Sequence, residues 1–92
     1  MLDYAKQHPE TLVIVTADHE TGGFTLAADH ADKMKGDYNT IAPSFSTTGH
    51  STTLVPVFAI GPGSEAFSGV YENTAIFDKM MKALGLTYDK VR

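Results

Sequence analysis

Thr11-Leu12-Val13-Ile14-Val15-Thr16-Ala17-Asp18-His19-Glu20-Thr21-Gly22-Gly23 joins an apolar, β-branched run to a polar turn that ends in two glycines. Residues 11–17 lack the apolar–polar alternation of a half-exposed strand. A continuous run of this kind reads as a strand covered on both faces, as in parallel sheets. Upstream, Asp3 suits the cap of a short helix through Tyr4, Ala5, Lys6 and Gln7. Pro9 ends that helix, because the residue before a proline is pushed out of the α region. A helix running into a buried strand is half of a βαβ unit. The expected fold class is therefore α/β: part of a parallel or mixed sheet with flanking helices, incomplete in this chain. Open sheets of this class bind ligands just beyond the carboxyl ends of their strands, which is where Asp18 and His19 stand.

Farther along, Phe24-Thr25-Leu26-Ala27 alternates weakly and reads as a short second strand, whereas residues 28–39 are polar with Gly36 among them and read as a loop. Residues 41–46 suit a strand leading into the Ser/Thr-rich stretch that ends at Thr53. Val55-Pro56-Val57-Phe58-Ala59-Ile60 is the second clear strand, with Pro56 confined to an edge, a strand start or a bulge. Gly61-Pro62-Gly63 terminates it. Asn73 is the expected cap of a helix whose apolar positions Ile76, Phe77, Met80, Met81 and Leu84 form one stripe, and Gly85 is the expected stop.

Composition narrows the function classes. The chain has 92 residues, 42% hydrophobic, which makes one small domain at most and is too apolar for a disordered segment. Seven basic residues against eleven acidic ones, with no Lys/Arg cluster, argue against nucleic-acid binding. With no cysteine there is neither a disulfide framework nor a thiolate metal site. The longest continuous apolar runs, Leu12 to Val15 and Val57 to Ile60, fall far short of the roughly 20 residues of a membrane helix. Asp3 and Lys6 follow Met1 in place of a basic stretch and an apolar segment, so no signal peptide is expected within the chain, and that of any longer protein would lie upstream.

Asp18 and His19 are the sharpest chemical pair. A carboxylate beside an imidazole suits Zn²⁺. Neighbouring residues of an extended strand point to opposite faces, so both reach one ion only where the backbone turns, and Gly22 and Gly23 permit that turn. The competing reading is a solvated Asx-turn. His50, in Thr47-Thr48-Gly49-His50-Ser51, has small neighbours that admit an ion to its ring; alone it is equally a surface histidine. The segment nears the G-x-S-x-G nucleophile elbow, but its last glycine is absent and a strand follows where the motif demands a helix, which excludes Ser51 as an acyl-transfer nucleophile. Glu20 is a candidate supporting acceptor for the second N–H of a ligating histidine, or else a solvated loop residue. His8 and His30 read as exposed bystanders.

The stretch from Thr11 to Gly23 closely resembles the metal-binding segment of alkaline phosphatases. Gly49-His50-Ser51, Val55-Pro56-Val57-Phe58-Ala59, Gly61-Pro62-Gly63 and Phe67-Ser68-Gly69-Val70-Tyr71-Glu72-Asn73-Thr74 resemble the C-terminal metal-binding segment of that family and the strand, turn and helix after it. The resemblance runs over essentially the full chain. It implies a hydrolase of phosphate monoesters with two zinc ions and a nearby magnesium, working through a transiently phosphorylated serine. Asp18 and His19 would ligate one zinc and His50 the other. The nucleophilic serine, the remaining zinc ligands, the magnesium ligands and the phosphate-binding arginine of the family all lie upstream of the matched stretch. Ser51 stands where many members have Thr, and Thr52 where a Gly often follows. Residues 1–92 are thus expected to be a C-terminal fragment of an alkaline-phosphatase-like catalytic domain. Alone it should be inactive, with sheet edges left open to self-association. The resemblance further implies a homodimeric, exported parent protein. Two alternatives stand beside it: a small non-enzymatic metal-binding α/β module, and a fragment of a sulfatase, phosphodiesterase or phosphoglycerate mutase of the same superfamily.

Overall fold

The computed structural model describes the backbone of residues 1–32 and 35–87 and the side chains of 1–28 and 40–87. Two compact units divide the chain, one of residues 1–16 with 56–92 and one of residues 17–55.

In the first unit a helix, α1 (Leu2–Gln7), precedes a strand, β1 (Val13–Val15). Asp3 does not cap α1: the N-cap position is Met1, and Asp3 lies in the first turn, where its negative charge opposes the positive end of the helix dipole. The C-terminal end is held by His8, whose Nδ1–H donates to the Tyr4 carbonyl at 2.9 Å while its ring stacks on Tyr4 with centroids 3.9 Å apart. His8 is therefore a half-buried helix stop, not the exposed bystander expected of it.

β1 pairs with a later strand, β6 (Phe58–Ile60), with Val13 opposite Ile60 and Val15 opposite Phe58. The pairing is antiparallel; the parallel neighbours expected of the 11–17 run are not among the strands described in this chain. Side chains directly opposite one another share a face, so Val13, Val15, Phe58 and Ile60 lie on one side of the pair and Ile14 and Ala59 on the other. Leu12 and Ile14 line an open groove of about 280 Å³ together with Glu10, Pro62 and the helical residues Met80, Ala83 and Leu84. On the opposite face Val13 is buried, yet Val15 and Phe58 are 53% and 64% exposed. Cover on both faces, expected from the apolar run, is thus only partly supplied by these residues.

The chain leaves β6 through Gly61, whose φ of +117° is open to glycine and costly for other residues. A Cβ at this position would collide with the Thr11 carbonyl oxygen and come within 3.0 Å of the Leu12 Cα. Both are backbone atoms that have no rotamer in which to escape. Gly61→Ala is therefore expected to destabilise this unit by about 2–3 kcal/mol, read as a lower urea midpoint at unchanged m-value.

A 3₁₀ turn, Ser64–Phe67, buries Phe67 to 4% exposure, and Val13 and Phe67 are the buried hydrophobic side chains of the described residues. The second helix, α2 (Ala75–Ala83), starts after Thr74, with Asn73 giving its carbonyl to the Ile76 N–H in place of the expected side-chain cap. Gly85 stops it as expected. With φ +68° it closes a Schellman motif: its N–H donates to the Lys82 carbonyl and that of Leu86 to the Met81 carbonyl.

The second unit holds two antiparallel ladders. A short one joins β2 (Glu20–Thr21) to β5 (His50–Ser51). A longer one joins β3 (Thr25–Asp32) to β4 (Lys35–Ser44), in steady register from Thr25 opposite Ser44 to Ala28 opposite Ile41, with a shift between Ala28 and Asp29. Residues 28–32 and 35–39 are thus strand, where the polar composition suggested a loop. Residues 33–34 and the His30 side chain lie outside the described residues.

Candidate metal centre

The turn after Ala17 brings the two quoted segments of the sequence together. Glu20 stands opposite Ser51, and Thr21 opposite His50. Gly22 extends the contact: its N–H donates to the Gly49 carbonyl at 2.8 Å, and its own carbonyl accepts from Ser46 at 2.9 Å and Thr47 at 3.2 Å. Gly22 and Gly23 both have positive φ, +91° and +58°, and a Cβ on Gly22 would sit 2.7 Å from the Phe45 ring. Two glycines are needed here because the chain both reverses and runs close against the 45–50 segment.

The bend at residues 18–19 and the β2–β5 pairing put His19 beside Asp18 on one side and His50 on the other. The His19 and His50 rings stack with centroids 3.5 Å apart at 25°. His19 Nδ1 lies 3.2 Å from the Glu20 main-chain carbonyl, an oxygen that only accepts, so the ring carries its proton on Nδ1. Thr21 Oγ1 stands 3.3 Å from the same nitrogen. Nε2 of the same ring lies 3.5 Å from Asp18 Oδ2. With the ring in its neutral form both atoms are acceptors, and a cation between them would join the pair. Zinc ligand distances of about 2.0–2.2 Å span such a gap. Asp18 and His19 fit an ion as two of its donors, with Nδ1–H held by a carbonyl as is usual for a ligating histidine.

The support from Glu20 comes from a different atom than expected. Its main-chain oxygen meets the His19 ring, while its carboxylate accepts from the Gly23 N–H, the Phe24 N–H and the Ser51 hydroxyl. The Ser51 hydroxyl first, and the Phe24 N–H next, hold the Glu20 carboxyl below the usual carboxylate range. Ser51, excluded above as an acyl-transfer nucleophile, has its hydroxyl engaged on that carboxylate. No sequence signal pointed to this contact, which joins residues 31 positions apart.

The three expected donors do not close a site. Among the described residues no group of three or more His, Cys, Asp or Glu side chains is arranged to hold an ion. Asp18 and His19 bracket one point and His50 lies flat against His19. A structural zinc takes four ligands and a catalytic one at least three, so further donors must come from outside this group.

Comparison with known proteins places the chain in a class of enzymes and gives that class a family. The sequence model of the alkaline phosphatase family matches residues 27–86, and the chain belongs to that family. It is 40% identical to streptomycin-6-phosphate phosphatase of Streptomyces griseus, over 92% of this chain and 22% of that protein. With alkaline phosphatase 4 of Bacillus subtilis it shares 29% identity, over 79% of this chain and 29% of that protein. Among solved structures, the alkaline phosphatase of the Antarctic bacterium TAB5 superposes with a TM-score of 0.79 at 59% identity, covering 95% of this chain and 26% of that one. A mutant of the same enzyme, described with magnesium bound, superposes at 0.78. The chain thus spans between a fifth and a third of the length of these relatives.

Proposed function

We propose that this chain is the C-terminal portion of the catalytic domain of a metal-dependent phosphate monoester hydrolase, to which it contributes Asp18 and His19 as donors to one zinc and His50 to a second. The observation that carries the reading is the 3.5 Å approach of His19 Nε2 to Asp18 Oδ2. Zinc held by such donors supplies Lewis-acid stabilisation of charge developing on phosphoryl oxygens. The task of this chain is orientation. The Glu20 carbonyl accepts from His19 Nδ1–H, the bend at residues 18–19 sets Nε2 and the Asp18 carboxylate 3.5 Å apart, and β5 delivers His50 against the His19 ring. The nucleophilic serine, the magnesium ligands and the other zinc ligands belong to the remainder of the enzyme. The relatives named for phosphatase activity support phosphate monoesters as the substrate class. The same reading makes the complete protein an exported homodimer.

A chimera tests it: residues 1–92 replace the matching quarter of the TAB5 alkaline phosphatase. The chimera is expected to bind zinc and hydrolyse a chromogenic phosphate ester, and the 92-residue chain alone to show no turnover with zinc and magnesium supplied. A folded, zinc-loaded but inactive chimera would overturn the proposal. Turnover by the isolated chain that disappears with His19→Ala would overturn its inactivity.

A further inference from the structure

The β2–β5 ladder contains two residue pairs, Glu20 with Ser51 and Thr21 with His50. Even with the Gly22 N–H to Gly49 carbonyl bond beyond it, so short a ladder is weak by itself, and a slip of one position would turn every side chain to the other face. Yet the placement of His50 over His19 depends on this register. The Glu20 carboxylate reaches across it. One of its oxygens accepts from the Phe24 N–H at 3.0 Å; the other accepts from the Gly23 N–H at 3.0 Å and from the Ser51 hydroxyl. These three donors come from the glycine turn on one side and from the residue after His50 on the other. Hydrogen bonds to an ionised acceptor are roughly twice as strong as neutral ones. Ser51 Oγ in turn accepts from the Thr53 N–H at 3.3 Å, which ties the exit of β5 into the same group.

We propose that Glu20 and Ser51 are positioning residues: their carboxylate–hydroxyl clasp fixes the register of β2 on β5 and so holds the His50 ring against the His19 ring before any ion arrives. Neither side chain needs to touch metal or substrate. The clasp rests on the reading of His19 and His50 as metal donors only for its purpose; its geometry is independent of that reading.

The test uses the complete 92-residue chain, metal-free, by nuclear magnetic resonance. The wild-type chain is expected to show contacts between the His19 and His50 ring protons and slowed amide exchange at Gly23 and Phe24. Ser51→Ala should abolish the ring contacts, and Glu20→Gln should abolish them together with the protection at Gly23 and Phe24. Ser51→Thr, which keeps a hydroxyl, should restore the wild-type pattern. Amide protection in β1 and β6 shows that each variant is folded. Titration with Zn²⁺ alone should then give affinities about 10-fold weaker for Ser51→Ala and near wild type for Ser51→Thr, the scale reached when a supporting partner of a metal ligand is lost. Ring contacts that survive both Ser51→Ala and Glu20→Gln would overturn the clasp, whatever the zinc result. Zinc affinity indifferent to Asp18→Ala and His19→Ala would instead remove the metal reading and leave the clasp to be judged on the ring contacts.

Discussion

His19→Ala, introduced into the TAB5 chimera carrying residues 1–92, is expected to release zinc and to lower kcat/KM for a phosphate monoester by more than about 100-fold. The magnitude follows from the position of the ring. Loss of a group one step removed from a metal costs about 10- to 100-fold, and in the proposed site His19 is itself a donor, with Nε2 3.5 Å from Asp18 Oδ2. Asp18→Ala should fall in the same range, since it removes the other half of the pair. The two effects should not add, because once either donor is gone the remaining one holds no ion at that point. Glu20→Gln should be much milder, about 10-fold. Its contribution to His19 runs through a main-chain carbonyl that the substitution retains, and it loses the clasp to Ser51. Metal content by mass spectrometry alongside initial rates checks the ordering; a Glu20→Gln loss as large as that of His19→Ala would mean that the carboxylate itself touches the ion.

The sequence was most legible where a local signal had a local consequence. The apolar run at 11–17 does contain β1, and Gly85 does stop α2 in the left-handed conformation; Gly22 and Gly23 do make a turn, but it follows β2, and the bend at Asp18 and His19 precedes that strand. What stayed hidden depends on partners remote in sequence. Uninterrupted hydrophobicity reports how many faces of a strand ask for cover and not which way its neighbour runs, so Val13–Val15 gave no hint that Phe58–Ile60 would meet it antiparallel. The strands expected at 24–27 and 41–46 lie in β3 and β4, but their continuation through 28–32 and 35–39 was hidden for a related reason: a ladder is built from backbone hydrogen bonds, which polar residues make as readily as apolar ones. Glu20 shows the same limit at the site. Proximity in sequence suggested that its carboxylate would serve His19, but the adjacent residue reaches the ring with its main chain, freeing the carboxylate for a serine 31 residues on.

Phe67→Ala is expected to unfold the unit formed by residues 1–16 and 56–92, whereas Phe58→Ala should change its stability by less than about 1 kcal/mol. The two phenylalanines stand nine positions apart and differ in what covers them: Phe67 is 4% exposed and Phe58 64%. Truncating a buried phenylalanine costs about 3–5 kcal/mol through lost burial and the cavity left behind. Small domains have only about 5–15 kcal/mol in total, and in this unit Val13 and Phe67 are the buried apolar side chains of the described residues. The backbone around Phe67 joins several elements at once. Its carbonyl accepts from the Tyr71 hydroxyl at 2.8 Å, and Lys79 of α2 donates to the neighbouring Ala66 carbonyl at 2.7 Å while lying 4.3 Å over the Tyr71 ring. Collapse of the 3₁₀ turn onto an alanine cavity would therefore loosen the hold on α2 as well. Urea denaturation followed by far-ultraviolet circular dichroism should show no folded baseline for Phe67→Ala and a nearly unshifted midpoint for Phe58→Ala. Equal losses at the two sites would mean that the core of this unit lies elsewhere.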